Sequence, residues 1–112
     1  MNLSSLALQA IKEEVLRCYP AEMCGLLVNG SFIACNNTHE DDLYNFRIDT
    51  EEFAPYVGKI EAIVHSHTAK QGLIYNYDIR TPSMNDVAMQ KQVGVPFLIF
   101  GTDGSYVMEH VE

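Results

Sequence analysis

The sequence predicts a small α/β domain in which a mixed β-sheet is flanked by helices. Three observations carry this. Segments of helical and strand period alternate along the chain. Asn29-Gly30 stands between two short apolar runs as a two-residue hairpin turn. Ile60, Ala62, Ile63 and Val64 form an apolar run rich in β-branched residues, suited to a buried strand. A length of 112 residues fits one domain over residues 1–112, because a core of this size buries roughly two thirds of the surface that the unfolded chain exposes.

Taken in order, Leu8, Ile11, Val15 and Cys18 fall at helical spacing across residues 3–18, with Lys12, Glu13 and Glu14 on the other side. Tyr19-Pro20 stops that helix, and Arg17 near its end suits the helix dipole. Residues 23–28 form an apolar strand, and residues 31–36 return as its antiparallel partner. The polar stretch 37–43 is a loop in which His39 reads as a solvated residue. Residues 44–48 read as a further strand. Asp49 then opens a short helix as N-cap with Glu52 as its capping-box partner, and Pro55 limits it. The strand at 60–67 follows. Residues 68–82 form a loop of unusual length with apolar character at Leu73, Ile74, Tyr77 and Ile79, read equally as a flap or as a variable surface insertion. Met84, Val87, Ala88 and Lys91 mark a helix that ends at Gly94. Residues 95–100 form a strand with Pro96 at its start or on an edge. A turn at 101–104 leads to the closing strand at 106–111, and His110 reads as exposed.

Composition excludes several classes. Fifteen acidic against seven basic residues leave a net charge of −8, which repels phosphate backbones, and the bases are too scattered to form a nucleic-acid patch. Cys18, Cys24 and Cys35 are an odd number without paired spacing, which argues against a disulfide framework and fits a reducing compartment. Cys24 within its apolar strand has two readings, a nucleophile beside a histidine or a small buried hydrophobe, and the second is the commoner. No run reaches membrane-spanning length and the first residues show no basic region before an apolar stretch, so the expected location is the cytoplasm.

The chemistry-bearing residues cluster around the strand at 60–67. Successive strand side chains alternate, so His65 and His67 project to one side, close enough for one metal ion, and Ser66 to the other. Ser83 and Asp86 are three apart at the start of a helical pattern and share a face. They suit either a site or a capping box. Two imidazoles and one carboxylate make up the ligand count of a catalytic zinc. Glu22, at the mouth of the first strand, has two readings: a solvated loop acid or a general base.

Glu22 in a Glu-x-Cys-Gly-Leu-Leu setting, His65-Ser66-His67 ending a strand, and Pro-Ser-x-x-Asp opening a helix together resemble the JAMM (MPN-plus, Mov34/PAD-1) zinc metallopeptidases. The span from Pro20 to about Gly104, including Phe46-Arg47-Ile48, also resembles the N-terminal domain of the tail assembly proteins of lambda-like phages. Thr68 stands where family members usually have proline, and the fifteen residues between His67 and Ser83 exceed the family pattern. The resemblance implies the cytidine-deaminase-like JAMM/MPN fold, with Zn2+ held by His65, His67 and Asp86. It implies Glu22 as general base, Ser83 as oxyanion stabiliser, and hydrolysis of a peptide or isopeptide bond. The implied partners are protein or peptide substrates, among them phage tail proteins or a ubiquitin-like protein, with no nucleic acid and no membrane. The implied setting is the host cytoplasm or the assembled tail. The same resemblance admits a non-catalytic scaffold or binding module of a tail or other complex.

Overall fold

A computed structural model describes residues 3–67 and 94–109. They form an α/β unit built on one five-stranded mixed sheet. The first helix, α1, spans Ser5–Cys18. Ser4 caps it, its hydroxyl accepting from the Ala7 N–H at 3.1 Å, which satisfies one of the donors left open in a first helical turn. Tyr19 is the C-cap, so the helix ends where the Tyr19-Pro20 pair predicts. Arg17 grips Glu14 with two hydrogen bonds of 2.6 Å and holds that carboxyl below its usual range. The buried stripe is Ala7, Ile11 and Val15, while Leu8 and Cys18 are only partly covered. Burying a Val or Ile side chain contributes about 1.5–3 kcal/mol, so this stripe is what holds α1 to the sheet.

The strands are β1 (Cys24–Val28), β2 (Ser31–Cys35), β3 (Ile60–Ser66), β4 (Phe97–Phe100) and β5 (Tyr106–Glu109). Their order is β2-β1-β3-β4-β5. Only β3 and β4 run parallel, and every other neighbouring pair is antiparallel. The β1–β2 hairpin turns on Asn29 and Gly30 with φ of 50° and 78°, the left-handed conformations that the Asn-Gly pair adopts at little cost. Between Leu27 and Val28 the register with β3 slips, and the carboxylate of Glu61 accepts from the Gly30 N–H at 2.6 Å, tying the turn to the central strand. At Gly25 the Phe32 ring lies directly over the backbone, and a Cβ there would meet the Ile33 carbonyl oxygen at 2.6 Å, so only glycine fits.

The sheet is covered on both faces. On one side Met23, Leu27, Ala62, Val64, Leu98 and Phe100 pack with α1. On the other, Leu26, Ile63, Phe97 and Ile99 pack with Phe46 and with Phe53 and Tyr56. These last two lie on a short helix α2 (Thr50–Phe53) and the 3-10 turn Ala54–Tyr56. Among the described residues no helix is long and apolar enough to cross a membrane.

Two local expectations are corrected. Residues 44–48 are not a strand: they follow an irregular path. Thr38 N donates to Arg47 O at 3.0 Å, but the neighbouring backbone groups Asn45 O and Arg47 N are taken by the side chain of Asn37. At α2, Asp49 is the N-cap residue but makes no side-chain cap. Its carboxylate accepts from the Thr38 hydroxyl at 2.9 Å, and Glu52 accepts from the Asn36 N–H at 3.0 Å, so both acids hold the 36–38 segment instead of closing a capping box. The strands at 23–28, 31–36 and 95–100 are each a residue or two shorter than expected. The last strand is described to Glu109, and His110 lies outside the described residues. So do the loop 68–82 and the helix expected from Ser83 onward.

Candidate metal centre

The site grows from the register of β1 against β3. Cys24 lies opposite His65. Carrying the antiparallel register two residues further sets Glu22 opposite His67, on the face away from α1. Ser66, on the α1 face, locks this extension: its hydroxyl accepts from Met23 N at 2.8 Å and its own N–H donates to Met23 O at 3.0 Å. The Glu22 backbone is held on both sides as well, with its N–H donating to Asp42 O at 2.6 Å and its carbonyl accepting from the Asn37 side chain at 3.0 Å.

Glu22, His65 and His67 are 1%, 0% and 3% exposed, and each can offer a ligand atom such that all three lie within 4.8 Å of one another. Glu22 is therefore not a solvated loop acid. Its Oε1 stands 3.6 Å from His65 Nδ1. Two donors bound to one tetrahedral ion at about 2.0–2.1 Å sit roughly 3.4 Å apart, so the pair is already near the spacing that a shared cation imposes. A buried carboxylate with two buried imidazoles beside it makes a donor set suited to a divalent metal. The residues present thus fit a metal ion. Glutamate and histidine suit several divalent metals, and the group does not select one of them.

An aromatic shell fixes the imidazole of His65. Phe46 stacks on it with ring centroids 4.5 Å apart and planes 23° from parallel, and Phe97 meets it edge-on at 5.4 Å and 85°. The His67 ring follows at 5.1 Å. Phe46 also forms one wall of an apolar groove of about 530 Å³ that runs past Leu26, Ile48, Phe53, Ile60 and Ile63. Cys24 is fully buried directly opposite His65 in the β1–β3 register. Burial pushes its thiol well up, with Cys35 adding to the effect, which favours the reading of Cys24 as a small buried hydrophobe. Cys35 is likewise pushed up to about 11 by burial, with Glu52 contributing.

Of the five residues singled out in the sequence, the fold brings Glu22, His65 and His67 together. Ser83 and Asp86 lie outside the described residues. Two further residues belong to the site: Phe46, which the sequence marks only as part of the Phe46-Arg47-Ile48 stretch, and Asn37, which it does not mark at all. A phenylalanine in a supposed strand signals only core, and an asparagine in a polar loop signals only a turn.

No family model matches the sequence, and no curated protein matches it. The chain is similar in structure to the solution structure of protein DSY2949 from Desulfitobacterium hafniense, with a TM-score of 0.63 at 18% sequence identity, over 95% of this chain and 79% of that one. At that identity the likeness is one of fold, a small α/β domain with a five-stranded mixed sheet.

Proposed function

We propose that this chain is a zinc-dependent peptidase or isopeptidase of the JAMM type, with a protein or peptide substrate such as a phage tail protein or a ubiquitin-like conjugate. The observation that carries the reading is the buried convergence of Glu22, His65 and His67, three residues that the motif resemblance singles out and that lie up to 45 positions apart in the chain. The mixed sheet with helical elements packed on both faces is compatible with the JAMM/MPN fold. His65 and His67 are two ligands, and Asp86 is the third that the resemblance implies. When bound, zinc supplies a water of lowered pKa and a Lewis acid for the carbonyl. Glu22 accepts a proton at its carboxylate and returns it to the leaving amine. Its two backbone anchors hold it in place for both steps, and the aromatic shell keeps bulk water from His65. Ser83 is assigned to the oxyanion.

Peptides, ubiquitin-like conjugates and tail proteins incubated with the purified chain test this reading. Cleavage is expected, lost on treatment with a zinc chelator and restored by added Zn2+. Absence of cleavage across all three substrate classes, or cleavage indifferent to chelation, sinks the peptidase reading and favours a scaffold of the same fold.

A further inference from the structure

We propose that Asn37 is a positioning residue of the metal centre, its one carboxamide setting both the Glu22 backbone and the Phe46 ring that stacks on His65. The proposal rests on the reading of His65 and His67 as metal ligands with Glu22 beside them. Asn37 is only half-buried and lies in the loop after β2, yet all four of its hydrogen bonds go to backbone groups. Its Nδ2 donates to Glu22 O and to Asn45 O, each at 3.0 Å. Its Oδ1 accepts from His39 N at 3.0 Å and from Arg47 N at 3.1 Å. Only one orientation of the amide satisfies this set, because the nitrogen faces two carbonyls and the oxygen faces two N–H groups. Asn45 and Arg47 flank Phe46, so the amide brackets that residue from both sides.

The consequence is geometric. The 44–48 segment lacks a strand ladder of its own, and the same side chain that replaces the ladder also reaches Glu22. Supports behind metal ligands, by fixing ligand orientation, typically change metal affinity by 10–100-fold. No aspartate can replace the amide: it would set a carboxylate oxygen against the Glu22 and Asn45 carbonyls. No serine or alanine spans the four groups.

The test uses the full chain, metal-free and with Co2+ as a probe ion. In the metal-free chain, the ring protons of His65 lie beneath Phe46 at 4.5 Å between centroids and carry its ring-current shift. Asn37→Ala and Asn37→Asp are expected to reduce that shift and to weaken Co2+ binding by about 10–100-fold, with a changed visible spectrum. Ser4→Ala, which removes the α1 cap remote from the site, serves as the stability control and is expected to alter neither readout. A folded Asn37→Ala or Asn37→Asp with the parent's His65 shifts and Co2+ affinity overturns the proposal. Co2+ loss of equal size in Ser4→Ala also overturns it, since the effect would then be general destabilisation. If Asn37→Ala does not fold, Asn37→Asp, which keeps the acceptor for Arg47, and Phe46→Leu, which keeps the apolar filling without the stack, carry the same two readouts. A parent that binds no Co2+ while the Asn37 variants still lose the ring-current shift overturns the metal reading and leaves the positioning of His65 standing.

Discussion

Glu22→Gln is expected to slow hydrolysis by about 10²–10⁴-fold while the metal remains bound. The amide matches the carboxylate in shape, and the backbone contacts that seat residue 22, to Asp42 O and from Asn37 Nδ2, do not involve its side chain. What changes is the ability to take a proton. Because Glu22 is buried beside His65 at 3.6 Å, the exchange is not a surface substitution, and its outcome separates two roles for the carboxylate. As general base, Glu22 is dispensable for binding, and the variant purifies with the parent's metal content but without its rate. As a direct ligand, which the 4.8 Å clustering also permits, its loss lowers metal content together with rate. Elemental analysis alongside the rate assay distinguishes the two. A variant as fast as the parent contradicts the assigned mechanism.

His65→Ala is expected to lose the metal and, separately, to destabilise the metal-free chain by on the order of 2–4 kcal/mol, in the manner of other large-to-small core changes. The imidazole is fully buried near the C-terminal end of β3, stacked by Phe46 and met edge-on by Phe97, so its removal leaves a cavity between two phenylalanines on the central strand of the sheet. For a chain of this length that corresponds to a fall of roughly 10 °C in the melting midpoint. Melts of parent and variant, both stripped of metal, measure the packing contribution alone. An unchanged midpoint contradicts the placement of this ring in the core.

Much of this architecture is legible in the sequence because it depends on local rules. The spacing of Ile11 and Val15 gives α1, Asn29-Gly30 gives the β1–β2 hairpin, and strand alternation sends His65 and His67 to one side and Ser66 to the other. What the sequence left open depends on pairings between distant segments. Whether Glu22 is a loop acid or a site residue turns on the β1–β3 register, and nothing near residue 22 specifies that its partner is forty-five positions away. The 44–48 segment has the alternation of a strand, but a strand also needs a neighbour with free backbone groups. Asn37 fills that place with a side chain. The box at Asp49 and Glu52 failed for a related reason: Thr38 and Asn36 compete for the same carboxylates, and that competition is tertiary. Asp86 and Ser83 remain assigned by motif.

Titration of Zn2+ into the metal-free chain, followed by calorimetry and by thermal melts, tests the central claim most directly. The account predicts one equivalent bound per chain, and at free zinc about 100 times the dissociation constant a stabilisation of roughly 2.7 kcal/mol, both absent from His65→Ala and His67→Ala. A parent that takes up no zinc, or histidine variants that bind it as tightly as the parent does, would contradict it.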